Sequence, residues 1–355
     1  MKILVACDSF KGCMTSKQAN EAIIRGILKA NETHEFVSIP MADGGEGTAS
    51  VLCSNIDGSK VSVHTLDAYG NEIETYYVLS KDEKTAIMDV ASCIGLSMVS
   101  KYDRNPFITN SCGVGIMMKD AIQRGCERIV IGLGGSSTND GGMGILEEFG
   151  VSFYNNIMEK LKPNPYALKH VDSIDISNFQ KPNVEIIVAC DVNIHLLGPM
   201  GTTYFFGKQK CFYHNQIHEV DRWMHNYRDK IQEVFHVDLD TFEGGGTAGG
   251  IGACLIGLFG AKMIPGAKLV ARLSHMEELI QDCDLVITGE GQTDRQTEYG
   301  KVPFEVLMIA NKYNKKTICL SGALGIGYQN LYNYGMAGIF SSSDRAMTFQ
   351  VAIEK

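Results

Sequence analysis

The sequence of 355 residues predicts an α/β protein built from two α/β domains. Three observations predict it. Short, continuous apolar runs such as KILVAC (Lys2 to Cys7) have the length and composition of parallel strands buried on both faces. Several are followed by a loop and then by a segment of helical period, which is the rhythm of a parallel sheet. The chain is also longer than one domain of roughly 150 residues, and alternating strands interrupt the rhythm in its middle.

The N-terminal strand Lys2 to Cys7 ends at Asp8-Ser9-Phe10-Lys11-Gly12. Thr15 and Gln18 form a capping box, and Ala19, Ala22, Ile23, Gly26 and Ile27 make one stripe, so a helix is expected from Ser16 to Ala30. Phe36 to Ile39 is the second strand and leads into Pro40-Met-Ala-Asp43-Gly44-Gly45-Glu46-Gly47-Thr48 and a short helix; Lys60 to Thr65 is the third. Beyond the turn at Asp67 to Asn71, Glu74 to Leu79 and Thr85 to Val90 alternate as antiparallel or mixed strands do. Ser111 is placed to cap a helix over Gly113 to Arg124, closed by Gly125.

The stretch Arg128 to Gly144, RIVIGLGGSSTNDGGMG, is a β-branched run, a loop nearly half glycine and the start of a helix. Glycines let backbone N–H groups approach an anion and a helix N-terminus adds a favourable dipole, so the loop is a candidate phosphate cradle. Its Asn139-Asp140 pair is expected to brace the loop and cap the helix. Val151 to Lys181 reads as irregular, and Glu185 to Cys190 repeats the apolar strand that ends in an aspartate, here Asp191. Asn215 to Val234 is an amphipathic helix with Ile217, Val220, Met224, Tyr227, Ile231 and Val234 on one face. His214 and His218 have metal-ligand spacing there, but no third ligand is near in the sequence and a solvated face is expected.

A second glycine loop, Glu243 to Gly252, opens a buried helix over Ala248 to Phe259. Gly244, Gly246 and Gly249 fit G-x-G-x-x-G formally, yet neither a leading strand nor a following ribose-binding acid accompanies them, so no dinucleotide site is predicted. Asp284 to Thr288 is a strand ending in Gly289-Glu290-Gly291-Gln292-Thr293-Asp294. The helix Val302 to Tyr313, the strand Thr317 to Leu320, a helix ending at Tyr334 and the strand Gly338 to Phe340 restore the βα rhythm. The expected organisation is therefore a discontinuous, flavodoxin/Rossmann-like domain with a mainly parallel sheet (1–66 plus 275–355). A mixed-sheet domain carrying the glycine-rich loops (67–274) is inserted into it.

Composition narrows the function. A net charge of -9 excludes nucleic acid or an anionic membrane as a general partner, since both demand a basic face. The 38 glycines follow no fixed period and cluster in loops. Eleven cysteines, an odd number without a C-x-x-C pair, together with a strand that begins at Lys2, predict a reducing, cytoplasmic location. Cys7, Cys190, Cys254 and Cys319 sit in apolar runs and are expected to be buried. The uncharged run Gly244 to Ala261 is half glycine loop, too short in its apolar part to cross a bilayer.

Open α/β sheets bind ligands at the carboxyl ends of their strands. Those ends carry Asp8 with Lys11, Asp43, the Gly132 loop, Asp191, and Glu290 with Asp294. Loop amides for a polyphosphate, carboxylates for Mg²⁺ or a hydroxyl proton, and Lys11, Lys210 and Lys301 for developing charge are the parts that phosphoryl transfer requires. No Walker motif, protein-kinase motif set or G-x-S-x-G elbow is present.

DSFKG (Asp8 to Gly12), PMADGGEGT (Pro40 to Thr48), GLGGSSTNDGG (Gly132 to Gly142), ACDVN with LLGP (Ala189 to Pro199) and the pattern from Asp284 to Pro303 together resemble the bacterial type I glycerate kinases along essentially the whole chain. The resemblance implies ATP-dependent phosphorylation of D-glycerate, at the 2-hydroxyl, with the active site in the cleft between two α/β domains. The partners are then D-glycerate and ATP, with Mg²⁺ as cofactor; a homodimer is left open. On this reading Gly134, Gly135, Ser136, Ser137 and Thr138 hold ATP with support from Gly245 and Gly246. Asp8, Ser9, Lys11, Asp43 and Glu290 bind substrate, Asp191, Lys11 and Asp294 are catalytic, and Asp191 and Asp294 serve the metal. The sequence departs from the family pattern at Ile194-His195, where Asn-Pro is usual. It departs also at Lys208 and Cys211, where Pro and Gly are usual, at Gln292, where Arg is common, and mildly at Ser137. The chain ends at Lys355, about where a final helix after Asp344 is expected. A nicotinamide-dependent hydroxy-acid oxidoreductase and a non-catalytic nucleotide-binding relative are the competing readings.

Overall fold

The structure, a computed structural model, describes residues 1–45, 47–343, 345 and 351. Glu46 of the Pro40 to Thr48 motif and the helix expected after Asp344 lie outside the described residues. The chain divides into two compact units, one formed by residues 1–57 with 265–355 and the other by residues 58–264.

In chain order the strands used below are β1 (Lys2–Cys7), β2 (Glu35–Ser38), β3 (Ser59–Leu66), β4 (Glu72–Leu79), β5 (Thr85–Asp89), β6 (Arg128–Gly132), β7 (Ser152–Tyr154), β8 (Ser173–Asp175), β9 (Glu185–Ala189), β10 (Lys262–Ile264), β11 (Leu285–Gly289), β12 (Lys316–Ser321) and β13 (Gly338–Ser341). The helices used below are α1 (Ser16–Ala30), α2 (Cys112–Gln123), α3 (Met143–Glu148), α4 (His214–Phe235), α5 (Ile251–Gly257) and α6 (Val302–Lys312).

The discontinuous unit holds a five-stranded sheet in the order β13-β12-β11-β1-β2, parallel throughout. β1 lies inside it, which is why its residues from Ile3 to Cys7 are all buried. Its register pairs Cys7 with Gly289, and the Asp8 amide donates to Gly289 O at 2.8 Å. Asp8 and Glu290 therefore leave neighbouring strands at the same carboxyl edge. Met41 N donates to Cys7 O at 3.0 Å and brings the chain after β2 to that edge as well. α1 begins at Thr15 with both halves of its capping box formed, as the sequence predicts.

The inserted unit holds a six-stranded sheet in the order β10-β9-β6-β5-β4-β3. β3, β4 and β5 pair antiparallel, while β5, β6, β9 and β10 run parallel. The mixed sheet follows from the alternating β4 and β5 segments. Gly132 pairs with Ala189, so the first glycine loop and Asp191 share one sheet edge. The core of this unit includes Met224, Tyr227 and Ile231 of α4, three of the face predicted from its period.

Three local expectations change. The segment from Val151 to Lys181 contains the antiparallel pair β7–β8, whose three-residue strands are too short to show an alternating pattern. The buried helix starts at Ile251 rather than Ala248, because Ala248, Gly249 and Gly250 have φ of 55°, 72° and 92°. The segment ending at Tyr334 is a 3₁₀-helix, Tyr328–Tyr334. Among the described residues no helix is long and apolar enough to cross a membrane.

Cys211, where the family pattern has glycine, adopts φ 76°, a left-handed conformation in which a Cβ crowds the backbone. Cys211→Gly is expected to raise unfolding stability by up to about 1 kcal/mol, read as a higher urea midpoint at unchanged slope.

Candidate active site

At the carboxyl edge of the β1–β11 pair, four charged residues form one electrostatic cluster. Asp8 is buried, and burial together with the nearby Asp43 charge raises its pKa to about 7 against the opposing pull of the Ser9 amide and Lys11. The Ser9 amide donates to Asp8 Oδ1 at 2.7 Å. Lys11 Nζ lies 2.9 Å from Asp43 Oδ2, and Asp43 Oδ1 accepts the Gly45 amide at 3.1 Å, which closes the turn after β2. Glu290 is buried too; burial pushes its carboxyl upward, while donation from Thr297 Oγ1 (2.6 Å) and Thr293 Oγ1 (3.0 Å) opposes that shift. Gly291 brings its loop against the Phe10–Lys11 backbone. The sequence-predicted Asp8, Ser9, Lys11, Asp43 and Glu290 are thus brought together.

Asp294 has a different immediate task. It caps the 3₁₀-helix Arg295–Tyr299, its Oδ1 accepting the Gln296 amide at 2.8 Å and its Oδ2 accepting Gln292 Nε2 at 3.0 Å. Gln292, in place of the common arginine, is therefore a neutral hydrogen-bond partner of that carboxylate.

In the inserted unit the first glycine loop is held from beneath. Asp140 is fully buried: Oδ2 accepts Ser111 N (2.8 Å), Ser111 Oγ (2.7 Å) and Gly144 N (3.2 Å), and Oδ1 accepts Gly142 N (3.1 Å). Asp140 therefore caps α3 and braces the loop, as the sequence reading expects. Ser111 does not cap α2 with its side chain; its hydroxyl also accepts the Ile145 amide at 3.2 Å, so it stitches α2 to α3. Sequence reasoning missed that role, because the partner lies 29 residues away in the chain. Asn139 Nδ2 donates to Thr203 Oγ1 at 3.0 Å.

The amides of the loop are not equivalent. The Ser137 amide and hydroxyl both donate to Ile94 O at 2.9 Å. Among the described residues the amides of Gly134, Gly135, Ser136 and Thr138 meet no protein acceptor, which leaves them available to an anion. Lys210, named from the sequence only as a source of positive charge, is 2% exposed and donates from Nζ to Thr138 O.

The second glycine loop does a different job. The Gly245 amide donates to Phe242 O and the Gly246 amide to Ile194 O, each at 3.0 Å, so neither points at a ligand. A Cβ on Gly246 would stand 1.9 Å from His195 O, and one on Gly249 would stand 2.1 Å from Thr138 O. These glycines permit backbone-to-backbone packing under the first loop, and Gly141 N donates to Gly249 O at 2.9 Å to fasten the two. Gly246 has φ −72°, which any residue adopts, so Gly246→Ala isolates the steric effect. It is expected to cost about 2–3 kcal/mol in chemical denaturation, despite alanine's smaller entropy loss on folding.

Among the described residues no three His, Cys, Asp or Glu side chains converge as a metal cage. Mg²⁺ bound with a nucleotide takes only one or two protein carboxylates, with phosphates and water completing its shell, so such a site needs no cage of this kind. The cysteines are all unpaired by disulfides, and burial raises the thiol pKa of Cys7, Cys254 and Cys319, which makes them packing groups.

The glycerate kinase family model matches residues 3–355. The chain is 37% identical to a glycerate kinase of Halalkalibacterium halodurans over 99% of its own length and 93% of that protein's. It is 35% identical to the glycerate 2-kinase of Escherichia coli, over 96% of this chain and 90% of the relative. A crystal structure of a protein assigned as glycerate kinase 2 from Salmonella typhimurium superposes with a TM-score of 0.85 at 35% identity, covering 100% of this chain and 93% of that one. With the family model, full-length relatives and the fold in agreement along its length, the chain belongs to the glycerate kinase family.

Proposed function

We propose that this protein is a glycerate kinase that transfers the γ-phosphoryl group of ATP to the 2-hydroxyl of D-glycerate, giving 2-phosphoglycerate and ADP. Two observations support the reading, one in each unit: unspent amides on the loop Gly134–Thr138, and the Asp8–Lys11–Asp43–Glu290 cluster. The family supports kinase activity, and the name of the Escherichia coli relative supports the 2-position.

The four unspent amides hold the phosphates of ATP. Lys11, whose side chain is 74% exposed, turns from Asp43 to share the glycerate carboxylate. Asp8 takes the proton of the attacking hydroxyl: a general base works best when its pKa is near the working pH, and burial with the neighbouring Asp43 charge raises Asp8 to about 7. The hydroxyl oxygen forms its bond to Pγ as the bond from Pγ to the β–γ bridging oxygen breaks, and ADP leaves with that electron pair. Mg²⁺, when bound, neutralises phosphate charge; Asp191 and Asp294 are the carboxylates assigned to it. Glu290, fixed by Thr293 and Thr297, orients glycerate as a hydrogen-bond acceptor.

The test is coupled ADP release over a panel of small hydroxy acids with Mg²⁺, with the product identified by ³¹P NMR. Release that depends on D-glycerate and yields 2-phosphoglycerate is expected; release with none of the acids would sink the reading. In the same assay Lys11→Ala is expected to lower kcat/KM for glycerate by roughly 100-fold or more, through the loss of a charge-assisted contact. A base must be unprotonated, so kcat/KM for glycerate should climb as pH rises through about 7 and then level off. Asp8→Asn should remove that limb and leave a low, flat profile.

A further inference from the structure

Lys210 is a buried amine that the scheme above does not use. It follows Thr202–Phe206 and lies under the turn Ser136–Thr138, with Nζ donating to Thr138 O and standing 3.4 Å from Ser136 Oγ. The Phe206 ring, at 5.8 Å, faces it from its own segment. The gap it shares with Tyr69, Leu96, Arg104, Thr109 and Ser137 is too narrow to admit a water molecule. Arg104 adds a like charge, with its guanidinium spent on Leu96 O and Val99 O. The acidic group felt from the loop is Asp140, whose two oxygens already accept four hydrogen bonds.

An ammonium buried for architecture alone is paired with a carboxylate, because the cost of leaving water is otherwise uncompensated. Lys210 has no ion pair among the described residues, and only Thr138 O and Ser136 Oγ meet its three N–H positions. Both of those partners belong to the loop whose amides are unspent.

We propose that Lys210 is a positioning residue of the phosphate loop, which holds the Thr138 carbonyl inward and couples the binding of a polyphosphate there to the uptake of one proton by its amine. This rests on the nucleotide assignment made above and adds to it. The Thr138 carbonyl is pressed by Gly249 on one side and bonded by Lys210 on another, so the orientation of that peptide is fixed from below. A phosphate on the amides of this loop brings negative charge to the segment that Lys210 Nζ contacts at Thr138 O and Ser136 Oγ, which favours the charged form of the amine. Before binding, burial lowers the pKa of Lys210 to about 7, so a proton is there to be gained near neutrality. The proton comes from solvent, R–NH₂ becomes R–NH₃⁺, and no other bond changes.

The experiment is calorimetric titration of the intact protein with Mg-ADP at pH 7, in buffers of different ionisation enthalpy, for the wild type, Lys210→Met and Lys210→Arg. The wild type is expected to take up about 0.5 proton per nucleotide more than Lys210→Arg, whose charge is permanent. Lys210→Met, folded by near-ultraviolet circular dichroism, is expected to bind Mg-ADP at least about tenfold more weakly while KM for glycerate moves less than about twofold. Equal proton uptake in wild type and Lys210→Arg overturns the inference, and this comparison decides it even where Lys210→Met does not fold. Wild-type protein that releases ADP with glycerate but shows no such difference overturns the Lys210 assignment alone. Wild-type protein that binds no Mg-ADP overturns the nucleotide reading and this inference with it.

Discussion

The buried carboxylate of Asp140 is the interaction on which the first glycine loop and the helices around it depend. Burial disfavours its charge, and four donors from Ser111, Gly142 and Gly144 compensate. Those donors come from the start of α2, the N-cap of α3 and the loop itself, so one side chain ties together elements that no local hydrogen bond could join. Removing it would leave several buried donors unmet, which costs more than the hydrogen bonds gain. The loop above can then spend few of its own amides on self-support. Gly134, Gly135, Ser136 and Thr138 keep theirs for a ligand because Asp140, Ser137 and Lys210 do the holding.

The two glycine loops show how one residue type serves opposite ends. In the first, missing side chains leave amides uncovered. In the second, they let Gly246 and Gly249 pack against His195 O and Thr138 O at distances no Cβ would tolerate. The second loop is thus a floor, and the first rests on it. A preorganised cradle of this kind suits phosphoryl transfer, in which positioning and electrostatics supply nearly all of the catalysis.

The carboxylate cluster meets the opposite electrostatic problem. Asp8 and Glu290 are both buried and both shifted upward, chiefly by burial, and the Glu290 charge adds to the shift at Asp8. A chain of net charge -9 offers no general positive field to stabilise such a cluster. Local donors resolve this, with hydroxyls on Glu290, an amide on Asp8 and an ammonium on Asp43 placed where charge must be tolerated.

Strand ends, the α1 cap and the α4 face were legible in the sequence, since apolar runs, helical period and capping chemistry act over a few residues. Even the bracing role of Asp140 could be read from its place before Gly142. The hairpin of β7 and β8 could not, because three-residue strands carry no period, and the false start of α5 at Ala248 came from backbone angles that composition does not reveal. Which glycine loop offers amides and which merely packs was decided by tertiary contacts alone, through Ile194, Phe242 and His195. The same holds for Asp8 against the other acids, and for Lys210. Their identities are written in the chain, but a pKa or a dry environment is set by burial and by partners distant in sequence, and these exist only once the sheets have formed.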